Sequence, residues 1–230
     1  GAELVGLGAY TSVVGDGGVT ISRSVNVPVT TGDSYTVASA VEAMKKAAEI
    51  MEIDLAGATL AVVGATGAIG AVAAEMLAAD VPHIVLIGKR FDRLAEVKAR
   101  CERVGAEVLM TADLDMLLQA DLVLTVTSAV EAIVQPKHLK PGAVVCDVAR
   151  PRDVSKAVAE QRDDVFVFEG GLVEVPGPDA SFNFDFGFPP KTCYACMAET
   201  IALALEGRYE NYSLGEDLTI TQVAEIAGIA

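Results

Sequence analysis

Short runs of apolar, often β-branched residues alternate with amphipathic segments between Thr59 and Gly171. Apolar runs of this length are typical of strands buried on both faces of a parallel sheet. The runs that predict strands are Thr59–Val63, His83–Ile87, Glu107–Met110, Leu122–Val126, Ala143–Asp147 and Val165–Phe168. The segments that predict helices between them are Ala68–Ala79, Phe91–Val104, Leu114–Gln119 and Ser155–Glu160. The alternation predicts an α/β fold built on a doubly wound parallel sheet.

The N-terminal segment has a different pattern from the central region. Residues 3–24 are rich in glycine and valine and predict short strands and turns. A long helix is expected to begin at Asp33 or Ser34 and to end near Glu52, because its apolar residues recur at helical spacing along one stripe. We interpret this helix as a bridge between a second lobe and the central domain.

The C-terminal segment predicts one more helix, which begins after Pro189 and Pro190 and ends before Gly207. We expect the two outer helices to complete a small second lobe. The predicted regions are therefore an N-terminal segment with its bridging helix at 1–52, the central domain at 53–175, and a C-terminal loop and helix at 176–230.

A glycine-rich turn joins the first strand of the predicted sheet to the first helix. A strand, spaced glycines and a helix form the Rossmann turn that binds the pyrophosphate of a dinucleotide at the helix N-terminus. A turn that is glycine-rich for packing alone is the alternative. The residues predicted to bind the cofactor here are Gly64, Ala65, Thr66, Gly67, Ala68, Ile69 and Gly70.

The end of the second strand indicates which dinucleotide binds. An acidic residue usually stands there when the cofactor is NAD, but this chain has Lys89, Arg90 and then Arg93. Cations at this position favour the 2′-phosphate of NADPH. Further cofactor contacts are expected where later strands end, at the following residues: Thr127, Ser128 and Gly171.

Composition excludes some classes of function. The chain has 230 residues, 52% of them hydrophobic, and a formal net charge of −15, which argues against nucleic acid and against anionic membranes as partners. Residues 58–74 carry no charge, but their glycines predict a buried strand and helix rather than a membrane span. The N-terminus shows no signal peptide, and four scattered cysteines form no dense disulfide framework, so a cytoplasmic location is expected.

Cys193 and Cys196 offer three hypotheses for the C-terminal segment. They form a C-x-x-C pair, but no second pair completes a zinc site, and no metal is predicted. Both also fall on one apolar helical face, which is compatible with core packing. The third hypothesis is a nucleophile: Cys196 would lie in the first turns of a helix just after Lys191, and both features lower the pKa of a thiol.

Four segments together resemble the cyanobacterial long-chain acyl-(acyl carrier protein) reductases. They are the run VTTGDSYT from Val29, the GATGAIG turn, the run GGLVE from Gly170, and the tail from Cys193 to Ile220. That family has a nucleotide domain like the one in shikimate dehydrogenases. It reduces fatty acyl thioesters to aldehydes with NADPH through an acyl-cysteine intermediate.

The resemblance implies a role for each matching segment. The nucleophilic cysteine of the family corresponds to Cys196, and the Thr-Thr-Gly turn that includes Thr31 lies near the active-site cleft. Beside that turn, Asp33 and Tyr35 are candidates to hydrogen-bond substrate, although Asp33 is equally suited to cap a helix. The expected partner is acyl carrier protein or acyl-coenzyme A as substrate carrier. The oligomeric state stays open, a homo-oligomer included.

Two other hypotheses remain at this stage. One is a dehydrogenase like shikimate or amino-acid dehydrogenases, which acts on a small acid without a thiol. The other is a nucleotide-binding module that catalyses nothing. Members of the resembling family also have a further N-terminal segment before the equivalent of Gly6, so the chain is interpreted as a fragment or as a minimal relative.

Overall fold

The computed structural model describes residues 1–8, 11, 15–177 and 180–230. The chain divides into two compact units. One consists of Ala40–Gly170, and the other combines Gly1–Ser39 with Gly171–Ala230. The predicted boundaries after residues 52 and 175 stay predictions.

The strands of the described residues alternate with helices in the central region, as the hydrophobic pattern predicts. In chain order the strands are β1 (Val5–Gly6), β2 (Val29–Thr30), β3 (Thr59–Val63), β4 (His83–Ile87), β5 (Glu107–Thr111), β6 (Leu122–Thr125), β7 (Val144–Asp147), β8 (Phe166–Glu169), β9 (Leu172–Glu174) and β10 (Thr192–Tyr194).

The α-helices in the same residues are α1 (Val19–Ser24), α2 (Asp33–Ile50), α3 (Ala68–Leu77), α4 (Phe91–Arg103), α5 (Lys156–Gln161), α6 (Ala195–Leu205) and α7 (Ile220–Ile229). Short 3-10 helices cover Leu55–Gly57, Leu114–Gln119 and Pro136–His138. No helix in the described part of the chain combines the length and the apolar character needed to cross a membrane.

The Ala40–Gly170 unit, all of which is described, contains a six-stranded parallel sheet in the order β5-β4-β3-β6-β7-β8. Leu60 of β3 pairs with Ile84 on one side and with Leu122 on the other. All three side chains are almost completely buried, as expected for strands covered on both faces. The predicted α/β fold with a doubly wound parallel sheet is therefore confirmed.

The predicted strands and helices of this unit begin and end within a few residues of the observed ones. The fifth predicted strand begins one residue later than expected, at Val144, and the sixth is shifted by one residue to Phe166–Glu169. The segment Leu114–Gln119 forms a 3-10 helix. These are differences at element ends, where hydrogen bonding fades gradually.

The other unit departs further from the prediction. The segment after Pro190 does not enter a helix directly, because Lys191 has a positive φ of 66° and the chain then forms β10, which pairs antiparallel with β9. The helix α6 begins only at Ala195. The predicted strands and turns of residues 3–24 reduce to β1 and the helix α1; residues 9, 10 and 12–14 lie outside the described part.

A small core holds the C-terminal helices together. Leu203 of α6 and Ile226 of α7 are fully buried and pack with Tyr212 and Ala202. The helix α7 is not among the helices predicted from the sequence. The helix N-terminus carries a capping box, in which Thr219 and Gln222 exchange side-chain and backbone hydrogen bonds.

Candidate functional site

The glycine-rich turn after β3 requires glycine at two positions for steric reasons. Gly64 has a φ of 87°, and a Cβ there would lie 2.6 Å from the carbonyl oxygen of Val126. A Cβ on Gly70 would lie 2.5 Å from the carbonyl oxygen of Gly64. The absence of these side chains lets α3 pack directly on the end of the sheet.

Gly67 differs from the other two glycines because space remains around it. It is the N-cap of α3, with an extended φ of −81°, and a Cβ there would meet only the carbonyl oxygen of Gly64, at 3.5 Å. No side chain caps this helix. The first-turn N–H groups, which include those of Ala68 and Ile69, therefore have no capping acceptor, and the turn fits a bound pyrophosphate.

Basic side chains follow β4 as predicted. Lys89 and Arg90 are exposed, and Arg93 is half-buried in the first turn of α4. The guanidinium of Arg90 donates to the carbonyl oxygen of Thr66 at 3.0 Å, which ties this segment to the glycine-rich turn. Arg93 pairs with Glu96 at 3.1 Å. The cluster fits a 2′-phosphate beside the turn, because guanidinium and ammonium groups bind phosphate well.

The end of β6 is fixed by two buried aspartates. The backbone N–H and the hydroxyl of Thr127 both donate to Asp153, at 2.8 and 2.5 Å, and burial raises the pKa of that carboxyl. Asp147 accepts from the hydroxyl of Thr125 and from the N–H of Val154. Ser128 is exposed. Asp153 is not among the residues predicted from the sequence, because it lies far from Thr127 along the chain.

Gly171 lies in the unit that contains the C-terminal helices. It has a φ of 72°, and its carbonyl oxygen accepts the N–H of Ala195 at 2.8 Å. The observed contact of Gly171 is thus with the start of α6, and its predicted contact with the cofactor stays a prediction.

Cys196 lies in the first turn of α6 and is half-buried. A Cβ at Gly32 would overlap the Cα and Cβ atoms of Cys196, and a Cβ at Gly8 would lie 3.8 Å from its Sγ. The first turn of α6 therefore packs on the N-terminus of α2 through a contact that only glycine permits. The N-cap residue of α6, Tyr194, makes no side-chain capping bond to it.

The expectation of a thiol that is ionised easily is wrong. Burial, and next the charge of Asp33, raise the pKa of Cys196 to about 11, although the N–H groups of Met197 and Cys196 oppose the shift. The ammonium of Lys191 donates to the carbonyl oxygen of Gly177 at 2.6 Å. The sequence alone did not show that the thiol is enclosed beside a carboxyl.

Glu199 lies one turn after Cys196 and is completely buried. Its Oε1 accepts the hydroxyl of Thr30, and its Oε2 accepts the N–H of Tyr35 at 2.8 Å. Burial raises the pKa of Glu199, while donors at Thr30, Tyr35, Ser213 and Gly32 oppose the change. The carboxylate thus caps the N-terminus of α2 from a separate helix. The sequence signal that places Glu199 near Cys196 is its position three residues further along the same helix.

Asp33 lies in the first turn of α2, directly after Gly32, which contacts Cys196 of α6. Burial, followed by the charge of Glu199, raises the pKa of Asp33 to about 7, against one opposing hydrogen bond from Thr31. The structure thus assembles a thiol and two carboxyls from sequence segments that are widely separated.

The other two predicted substrate residues have contacts within the fold. The hydroxyl of Thr31 is buried and donates to the carbonyl oxygen of Ser213. The side chain of Tyr35 packs against the core of Leu203 and Ile226. Their predicted contacts with substrate stay predictions.

The cysteines do not indicate a metal centre. Cys193 is completely buried, which raises the pKa of its thiol. The described residues contain no group of three or more His, Cys, Asp or Glu side chains placed to hold a metal ion.

Comparison with known proteins finds relatives of three kinds. The family model described as Shikimate / quinate 5-dehydrogenase matches residues 45–169. Over its whole length the chain is 34% identical to the aminotransferase PigE of a Serratia species, of which it spans 27%. It is likewise 29% identical over its whole length to the long-chain acyl-[acyl-carrier-protein] reductase of Synechococcus elongatus, of which it spans 70%.

A solved structure supports the fold. One of the subunits of dipicolinate synthase from Bacillus halodurans superposes with a TM-score of 0.50 at 15% identity, and the match covers 73% of this chain and 58% of that one. At this identity the likeness concerns the fold alone. It agrees with the parallel sheet and flanking helices described above.

Proposed function

This chain belongs to the shikimate / quinate 5-dehydrogenase family, and from that premise we propose that it reduces an acyl thioester to an aldehyde with NADPH, through an acyl group on Cys196. The Ala40–Gly170 unit is a dinucleotide-binding domain of the oxidoreductase type. The finer activity is our inference, supported by the similarity to an acyl-[acyl-carrier-protein] reductase.

One observation supports this activity above the others: Cys196 is a half-buried thiol in the first turn of a helix whose N-cap residue makes no side-chain capping bond. Free helix N-terminal N–H groups favour a negative sulfur. The N–H groups of Cys196 and Met197 act on the Sγ in this way. A buried thiol with such donors suits a nucleophile that is formed only during the reaction.

The proposed reaction passes through an acyl group on Cys196. The Sγ of Cys196 attacks the acyl carbon, the bond from carbon to the carrier sulfur breaks, and the carrier leaves as a thiol. NADPH, when bound, supplies a hydride to the acyl carbon. The bond between Sγ and carbon then breaks, the aldehyde is released, and the N–H groups at Sγ stabilise the thiolate until it takes a proton from water.

Binding of the cofactor is assigned to the unit with the parallel sheet. The turn from Gly64 to Gly70 would hold the pyrophosphate, and Lys89, Arg90 and Arg93 would bind the 2′-phosphate, which favours NADPH over NADH. Either acyl carrier protein or coenzyme A is a suitable carrier of the acyl group.

Intact mass spectrometry after incubation with a long-chain acyl-coenzyme A, without NADPH, tests the proposal. We expect a mass gain of one acyl group that maps to Cys196 and is lost when NADPH is added. Cys196→Ala should abolish the adduct, whereas Cys193→Ala, which removes a buried thiol on β10, should retain it. A wild-type protein that forms no adduct, while iodoacetamide still alkylates Cys196, would contradict the proposed function.

The family match favours a second candidate function, hydride transfer between a nicotinamide cofactor and a small hydroxy or keto acid. That reaction needs no thiol. It predicts that Cys196→Ala retains full turnover with such an acid, and that no acyl adduct forms on the wild-type protein.

A further inference from the structure

The N-terminus of α2 places a carboxyl next to the proposed nucleophile. Gly32 is in contact with the backbone of Cys196, and Asp33 is the next residue. The carboxyl of Asp33 lies near enough to Cys196 for its charge to act on the thiol. Both residues belong to the same compact unit, so the juxtaposition lies within one unit.

The second carboxyl of this cluster is that of Glu199, and its hydrogen bonds differ from those of Asp33. Glu199 is buried and caps α2, and hydrogen bonds from four donors favour its charged form. For Asp33, one hydrogen bond, from Thr31, favours the charged form. Hydrogen bonds to a carboxylate favour its charged form, so they oppose the effect of burial more strongly at Glu199 than at Asp33. Asp33 is then the carboxyl that takes up and releases a proton near neutrality.

From this geometry we propose that Asp33 is the proton-transfer partner of Cys196 in acyl transfer, an inference that rests on the proposed function. Its carboxylate accepts the thiol proton as Sγ attacks the acyl carbon. The carboxylic acid that results donates the same proton to the carrier sulfur as the old bond from carbon to sulfur breaks. The step consumes no external proton and no reductant, and Asp33 ends as a carboxylate.

The electrostatics of the site explain why such a partner is needed. With a pKa of about 11, Cys196 is almost entirely a thiol at neutral pH, and Asp33, with a pKa of about 7, is balanced between acid and base. A base whose pKa lies near the working pH is the most efficient proton acceptor. Among the titratable groups of the described residues, Glu199 on α6 acts on both Asp33 and the thiol of Cys196, and Asp33 acts on the thiol.

The rate of acylation by acyl-coenzyme A, without NADPH, tests the proposal through the appearance of the acyl adduct by mass. For the wild-type protein we expect the rate constant to rise with pH through about 7 and then to level, because the carboxylate is the active form. A rate that keeps rising steeply well above pH 8 would overturn the proposal, since it would follow ionisation of the thiol. This profile needs no variant.

Variants separate proton transfer from a change in thiol acidity. Asp33→Asn should slow acylation by roughly 100-fold or more, and Asp33→Glu should recover part of the rate. The same Asp33→Asn change should leave alkylation of Cys196 by iodoacetamide as fast or faster, because it removes a charge that raises the pKa of the thiol. Glu42→Gln, the same chemical change at an exposed position of α2, is the matched control and should match wild type.

The outcomes that contradict this inference differ from those that contradict the proposed function. Acylation of Asp33→Asn that is as fast as in the wild-type protein would overturn the role of Asp33 and leave acyl-Cys196 intact. A wild-type protein that is alkylated at Cys196 but never acylated would overturn both.

Discussion

Asp33 makes the stability of the fold depend on pH. Its pKa is raised to about 7 in the folded chain, mainly by burial, against about 3.9 for an unfolded aspartate. The folded state therefore binds this proton more tightly, and the stabilisation is complete below about pH 4 and is lost as pH rises to about 7. We expect Asp33→Asn to raise the melting temperature at pH 8 and to have little effect near pH 4.

Thermal unfolding of both proteins between pH 4 and pH 8 measures this effect. Some dependence of the melting temperature on pH will remain in the variant, because burial also raises the pKa of Glu199. That group too stabilises the fold less as the pH rises. A variant that is less stable than wild type at pH 8 would show that the carboxylate of Asp33 stabilises the fold, against this argument.

The candidate site shows which properties of a residue can be predicted from sequence. Cys196 could be proposed as a nucleophile because its place near a helix start is a local property. Its acidity could not be predicted, because the pKa depends first on burial in the folded chain and next on the charge of Asp33, which lies far away in sequence beside the contact of Gly32 with Cys196. The cap that Glu199 provides for α2 has the same long-range origin.

At the scale of the elements, two glycines of the turn between β3 and α3 should respond differently to substitution by alanine. Gly67→Ala places its methyl group in ordinary van der Waals contact with the carbonyl oxygen of Gly64, at 3.5 Å, and with an allowed φ, so we expect it to destabilise the fold by less than about 1 kcal/mol. If the pyrophosphate binds there, the same methyl should raise the Kd for NADPH by about tenfold or more.

Gly70→Ala serves as the comparison. Its methyl group would press on the carbonyl of Gly64, and we expect a loss of roughly 1–3 kcal/mol even without cofactor. Thermal unfolding gives the stability of each variant, and a fluorescence titration gives the affinity for NADPH. An unchanged Kd for Gly67→Ala would place the pyrophosphate elsewhere.

The properties of single elements explain why the strands and helices of the Ala40–Gly170 unit could be predicted well and those of the other unit poorly. The inner strands of the parallel sheet, such as β3 and β6, are predominantly apolar runs, and short connections leave few alternatives. The strand β10 has only three residues and depends on pairing with β9 after the positive φ of Lys191. The helix α7 does have a local signal, the capping box that begins at Thr219, which the hydrophobic pattern alone did not reveal.

At the scale of the whole molecule, net charge bears on the choice of carrier. The chain has 17 basic and 32 acidic residues, a net charge of −15, and an acidic acyl carrier protein should be repelled by it. The helix α4 is rich in basic side chains, but several are already paired: Lys98 with Glu102 at 3.4 Å and Arg100 with Glu75 at 3.5 Å. This pairing weakens any local attraction that α4 offers.

We therefore expect kcat/KM for an acyl-[acyl carrier protein] to rise with salt, by up to about tenfold between low ionic strength and roughly 0.2 M, where repulsion is screened beyond about 8 Å. An uncharged acyl-pantetheine thioester of the same chain length should show no such rise, since it presents the same reacting bond without the charge. A rate that falls with salt for the carrier protein alone would mean that paired residues such as Lys98 and Arg100 attract it in spite of the net charge. That result would identify α4 as the first place to substitute.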